Sequence, residues 1–188
     1  MQILMKELEG KQVLAGAIPG QKAWMKLIER TSQEPLQPEP VFLDFKGVDV
    51  ATASYLREAI LNFRNTVRQR RSNFYPIIAN ANAAVIEELT ILLDPRGDVL
   101  MLCALDEGGE AHAPQLLGKL DPKQRFTFAL VRERGETDAS ELMQKHGDKE
   151  GVKQTAWNNR LASLAGLGLI VELSEGRNKR YRPLLAGA

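Results

Sequence analysis

The chain has a single cysteine, Cys103, among 188 residues. That excludes an intramolecular disulfide and points to a reducing compartment. Cys103 lies in the apolar run Val99–Leu105 and is expected to be a buried, inert thiol. No apolar stretch reaches the ~18–20 residues a bilayer span requires. The start of the chain, strand-like Ile3-Leu4-Met5 and then acidic Glu7, lacks a basic-then-apolar signal segment. The expectation is a cytoplasmic protein with no membrane partner. Histidine is equally scarce. His112 and His146 show no metal-ligand spacing, and Cys103 has no partner ligand, so neither metal nor cofactor is expected. There is no phosphate-cradling glycine loop, because Gly166-Leu167-Gly168 follows a helical pattern where such a loop needs a preceding strand. Carboxylates are scattered rather than paired for acid–base chemistry. Asp44 and Asp49 fall near a strand's C-terminal end, a ligand position in α/β domains, but a turn role accounts for them. No catalytic residue is assigned, and the chain is not expected to be an enzyme.

What is present divides in two. The net charge of +1 hides 12 Lys and Arg against 15 Asp and Glu in residues 1–118, and 13 against 9 in residues 119–188. The glycines and proline of Gly108-Gly109-Glu110-Ala111-His112-Ala113-Pro114 suit a linker. The expected organisation is an α/β domain over 1–107, a linker over 108–120 and a smaller α+β domain over 121–188.

The first part alternates. Strands are expected at Gln2–Leu8, Lys11–Ala15, Val41–Phe45, Tyr75–Ala79 and Val99–Leu105. Helices are expected at Gly20–Arg30, at Thr52–Gln69 with Leu56, Ile60, Phe63 and Val67 on one face, and at Ala83–Leu93, stopped by Asp94-Pro95. The irregular stretch Ser32–Pro40 reads as a connection within this domain. Alternation of this kind implies a largely parallel or mixed sheet.

The second part begins with Asp121 as a helix cap and Pro122 in the first turn, running to about Arg134. Asp138-Ala139-Ser140-Glu141 opens a second helix that stops at Gly147. A third runs from Val152 to about Leu167. Two strand-like pieces flank a basic turn near Arg177. Three helices and a hairpin give a helix-turn-helix followed by a wing. On the third helix Trp157, Leu161 and Leu164 share one face, with Lys153 and Arg160 at its flanks. Thr155, Asn158, Asn159 and Ala162 share the opposite one. That outer face is small or amide-bearing, suited to a major groove, where amides pair with adenine edges. Thr155, Asn158 and Asn159 are therefore the candidate base-reading residues. Lys153, Arg177, Lys179, Arg180 and Arg182 are the candidate phosphate contacts, with Tyr181 packing inward between them.

The run Thr155-Ala156-Trp157-Asn158-Asn159-Arg160-Leu161, then Leu164, then Leu167-Gly168-Leu169-Ile170, then the hairpin ending in Tyr181, resembles the winged helix of small bacterial transcription regulators. Those regulators place Ser or Thr at the recognition helix cap; here Lys153 stands there. In the first part, Leu43-Asp44-Phe45-Lys46-Gly47-Val48, with a helix starting near Thr52 or Ser54, resembles STAS-like domains, relatives of anti-sigma-factor antagonists. The resemblance implies that this domain binds a protein partner or a small ligand. It also makes Ser54, with Thr52 nearby, a candidate phospho-switch; the simpler account is a helix cap. Where the antagonists have glycine after the serine, this chain has Tyr55. Together the two halves suggest a DNA-binding regulator acting as a homodimer. The alternative is a non-catalytic protein-interaction switch whose winged helix docks protein rather than DNA.

Overall fold

The computed structural model describes residues 1–151, 153–175 and 178–185, the side chains of residues 148–150, 175 and 178 excepted. It is a mixed α/β protein that divides into two compact units, Met1–Lys119 and Leu120–Ala188.

The first unit runs β1 (Gln2–Leu4), α1 (Met5–Glu9), β2 (Val13–Leu14), α2 (Ala17–Arg30), β3 (Glu39–Asp44), β4 (Val50–Ala51), α3 (Ala53–Leu56), a π turn (Arg57–Leu61) and α4 (Asn62–Gln69). It continues through β5 (Phe74–Ala79), α5 (Ala83–Leu93), a 3-10 turn (Asp94–Arg96), β6 (Val99–Leu105) and β7 (Ala111–Gly118). The main sheet has the order β1-β3-β5-β6-β7. Its first four strands are parallel, and β7 is antiparallel to β6. All residues of β5 are buried, as the central strand of a sheet covered on both faces requires. β2 and β4 pair in parallel as a separate small sheet.

Several elements differ from the sequence reading: α2 begins at Ala17 rather than Gly20, β2 is shorter than expected and β3 begins at Glu39 within the stretch expected to be irregular. The strand expected over Gln2–Leu8 gives way to α1, because Met5 and Leu8, three residues apart, are both buried. The segment expected to be a linker over 108–120 is instead mostly β7. Its two glycines belong to the β6–β7 turn, where Gly109 has φ 81° and Asp106 Oδ1 accepts from Glu110 N at 2.8 Å. Pro114 is tolerated because it falls at a bulge on this edge strand, between the Leu102–Gln115 and Ala104–His112 pairs, where Ala113 has φ 48°. The long helix expected from Thr52 forms, with Leu56, Ile60, Phe63 and Val67 buried, but contains the π turn. Beside it α2 approaches closely: a Cβ on Gly20 would lie 2.8 Å from Tyr55 O and 2.9 Å from Glu58 Cβ.

A polar chain runs from the start of β1 across the C-terminal ends of β3, β5 and β6. Gln2 Nε2 donates to Asp44 Oδ2 (2.6 Å), Asn80 Nδ2 and Lys46 N donate to Asp44 Oδ1 (2.9 and 2.8 Å), and Leu105 N donates to Asn80 Oδ1 (2.9 Å). Asp44 is fully buried, so these donors replace its water. Burial, with Asp44 as a second cause, pushes the nearby Cys103 thiol up to about 11. At the other end of β6, buried Arg64 pairs with Asp98 and donates to Val99 O at 3.3 Å.

The second unit runs α6 (Pro122–Arg134), α7 (Ala139–Glu150), α8 (Gln154–Gly166), β8 (Ile170–Glu175) and β9 (Asn178–Pro183). Asp121 caps α6 through Lys123 N and Gln124 N, and Asp138 caps α7 through Ser140 N and Glu141 N. α7 does not stop at Gly147. It continues to Glu150 and closes on Gly151 in the left-handed conformation (φ 60°), so Gly147 lies inside the helix and Gly151 ends it. β8 and β9 form an antiparallel hairpin, from Ile170–Pro183 to Glu175–Asn178. Thr137, between α6 and α7, adds a one-residue bridge to the outside of β9: Thr137 N donates to Tyr181 O (2.9 Å) and Tyr181 N to Thr137 O (2.8 Å). No helix among the described residues is long and apolar enough to cross a membrane.

The polar chain at Asp44 yields a stability test. Asp44→Ala removes the shared acceptor of three part-buried hydrogen bonds and is expected to cost about 1–3 kcal/mol in urea unfolding. A change below about 0.5 kcal/mol would show that Asp44 is not needed there.

Candidate nucleic-acid interface

Helix α8 has one apolar side and one polar side. Trp157, Arg160, Leu161, Leu164 and Ala165 are buried, at spacings of three and four residues. Trp157 is fully buried; the Arg160 guanidinium lies 4.9 Å from its ring centroid, and the rings of Phe126 and His146 lie 6.3 and 6.4 Å away. The same helical period turns Thr155, Asn158, Asn159 and Ala162 outward, and all four are exposed. The helix contains no acidic residue. Gln124 Nε2, from the first turn of α6, donates to Ser163 Oγ at 2.7 Å and so ties α6 to the edge of this face.

Lys153 precedes α8 in extended conformation (φ −81°, ψ 163°), exposed, and supplies no side-chain cap. Its carbonyl accepts from Ala156 N at 2.9 Å. The expected helix start, Val152, lies outside the described residues.

The hairpin distributes its cations unevenly. Arg177 lies outside the described residues. Arg182 is exposed. Lys179 Nζ pairs with Glu172 Oε1 at 2.7 Å, across the hairpin. Arg180 is held by three carboxylates. Its Nε donates to Glu136, Nη1 and Nη2 lie 3.4 Å from Glu141 Oε1, and Nη1 lies 3.5 Å from Asp138 Oδ2. The hydrogen bond to Glu136, with the other carboxylates, pushes the Arg180 guanidinium further above its ordinary value. Tyr181 is buried, and its hydroxyl donates to Glu172 Oε2 at 3.3 Å. Burial, then Glu172, raises the phenol above its usual range.

Sequence reading therefore found the residues of the α8 face but missed what the hairpin cations touch. Glu136, Asp138 and Glu141 gave a signal: they are three of the nine acidic residues in a basic half, spaced within six positions. Glu172 gave none, because its contacts depend on the strand register.

At the start of α3, Thr52 is the cap. Its Oγ1 accepts from Tyr55 N (3.4 Å) and Gly16 N (3.2 Å) and lies 3.1 Å from Ser54 Oγ. A carboxylate also sits there, since Ala53 N donates to Glu88 Oε2 at 2.8 Å. Ser54 is half-buried beside that charge. A phosphate on Ser54 would have to share the helix end with Glu88. Among the described residues, no group of three or more His, Cys, Asp or Glu side chains is arranged to hold a metal ion.

No family model matches the chain, and no curated protein matches it.

Two sets of substitutions check this geometry. Trp157→Ala should cost about 3–5 kcal/mol, whereas Asn158→Ala and Asn159→Ala should each stay within about 0.5 kcal/mol; equal costs would mean that the helix presents a different face. Thr52→Ala should cost about 1–2 kcal/mol and Ser54→Ala less than about 0.5, measured by thermal unfolding. The reverse order would make Ser54 the cap.

Proposed function

We propose that the chain is a DNA-binding transcriptional regulator. Residues 121–188 act as a winged helix-turn-helix that binds double-stranded DNA, with α8 in the major groove and the β8–β9 hairpin as the wing. Residues 1–107, extended by β7, act as a STAS-like domain that meets a protein partner or small ligand, or dimerises. The observation that carries the reading is the exposed, uncharged stripe of Thr155, Asn158 and Asn159 on a helix with no acidic residue. A helix exposed only to water usually gains solubility from Glu and Lys on that face. Amides and a hydroxyl instead offer donors and acceptors to base edges without repelling phosphate.

The neighbouring groups suit the same partner. Lys153 stands at the α8 N-terminus with no side chain capping it, so its ammonium and the first amides of the helix can meet one phosphate. Arg182 is exposed on β9 for a second. The order of helix, bridging residue Thr137, two further helices and a hairpin suits a helix-turn-helix with a wing. One such module reads few base pairs, so two copies on paired half-sites are the expected complex.

The test is fluorescence anisotropy of a labelled duplex over a range of salt concentrations. Affinity should fall linearly with salt on logarithmic axes, and Lys153→Ala and Arg182→Ala should each reduce the slope by about one. Asn158→Ala and Asn159→Ala should leave the slope intact and lose about 1–3 kcal/mol of discrimination at a site selected from random duplexes. A random pool that shows no binding at low salt and no enrichment would refute the proposal.

A further inference from the structure

Arg180 lies on the hairpin that the DNA-binding reading makes a wing, and its part-exposed guanidinium lies against three carboxylates. We infer that Arg180 is a positioning residue that fixes the hairpin to the α6–α7 junction, rather than a phosphate contact. This rests on the DNA-binding reading for its consequence, but the clamp itself is a property of the fold.

Every element around the guanidinium contributes. Glu136 comes from the α6–α7 connection, Asp138 from the α7 cap and Glu141 from the first turn of α7. Asp138 serves two ends at once: Oδ1 accepts from Ser140 N (2.8 Å) and Glu141 N (2.9 Å), while Oδ2 faces Arg180. Glu141 is shared as well. Its Oε2 accepts from Thr137 Oγ1 (3.0 Å) and Arg134 Nη2 (3.4 Å), and its Oε1 faces Arg180. The next residue on the strand, Tyr181, exchanges two backbone hydrogen bonds with Thr137. Consecutive residues of β9 are thus pinned to one junction, one by backbone and one by charge.

A clustered, part-buried network of this kind holds geometry better than a lone surface pair. To reach a phosphate, Arg180 would have to leave three carboxylates, of which Glu141 alone also meets Arg134 among the described residues. The wing and α8 contact DNA from different elements, so the angle between them decides whether both contacts form together. Arg180 governs that angle.

The experiment combines the salt titration with amide exchange, using the full chain. Arg180→Ala should weaken duplex binding about fivefold at every salt concentration and leave the slope unchanged, unlike Arg182→Ala, which loses about one unit. Arg180→Lys should recover part of the loss. Glu136→Gln is the decisive variant because the two roles predict opposite signs. Loosening a clamp weakens binding although a negative charge is removed, whereas releasing a phosphate contact strengthens it. Amide exchange at Thr137 and Tyr181 should quicken in Arg180→Ala. A slope reduced by about one in Arg180→Ala, or tighter binding by Glu136→Gln, overturns the inference. If the unaltered protein binds no duplex, the DNA-binding reading falls on that result. The clamp is then judged by exchange alone, and unchanged protection at Thr137 and Tyr181 overturns it.

Discussion

Burial of Trp157 orients the second unit. The indole is fully enclosed, with Leu161 and Leu164 stacked on the same side of α8 at helical spacing. Removing that much apolar surface from water is worth about 2–3 kcal/mol or more for one side chain. Rotating α8 by 180° would expose it and bury two asparagines. Burying two amides without partners adds a further cost of the same order for each. The outward direction of Thr155, Asn158 and Asn159 is therefore a consequence of core packing, and the polar stripe exists because the opposite stripe must be dry. Arg160, at the margin of the two, is accommodated by lying against the indole ring rather than by reaching solvent.

A similar division of labour runs through the hairpin. Tyr181 is drawn inward, and the strand period of two then assigns its neighbours Arg180 and Arg182 to the other side. Those two arginines share a strand and a face but meet different surroundings. Arg180 stands level with Thr137 and the acidic first turn of α7; Arg182 stands beyond it and is exposed. Lys179 lies on the Tyr181 side, and Glu172 serves both. Three equal formal charges within four residues thus become one clamp, one cross-strand pair and one exposed cation.

What could be read in advance follows from the range of the interactions involved. The helices of the second unit were legible because their caps, Asp121 and Asp138, and their apolar periods are local. The inward set of α8 was legible for the same reason. Thr52 as a cap was visible in the sequence, but Glu88 at Ala53 N was not, since 35 residues separate the two. Gln2, Asp44 and Asn80 gave no joint signal, because only parallel pairing of β1, β3 and β5 brings their side chains to one edge. The linker was misread for a different reason. A Gly-Gly pair and a proline mark a hairpin turn and a bulge as readily as a tether, and only the pairing of β7 with β6 distinguishes them. Gly147 illustrates the limit of residue preference: three helical residues beyond it and Gly151 at the true end outweigh the cost of about 1 kcal/mol for a glycine inside a helix.

The arrangement of charge in the second unit bears on what kind of recognition the proposed interface would use. An exposed helix rich in Lys and Arg would bind any duplex, since phosphates are the same in every sequence. Here the cations stand at the edges, on Lys153 and Arg182, while the exposed face of α8 formed by Thr155, Asn158 and Asn159 is neutral. Edge cations set register and supply affinity; neutral amides between them supply discrimination. Acidic residues are not absent from this unit. Glu136, Asp138, Glu141 and Glu172 are all committed to internal contacts with Arg180, Lys179, Tyr181 and the α7 N-terminus. These four carboxylates are thereby tied up in the hairpin's supports, and a hairpin fixed by its own ion pairs costs less order on binding than a free one. In the proposed interface, the pairing of these four carboxylates, together with the modest excess of lysine and arginine, would lessen repulsion of a polyanion.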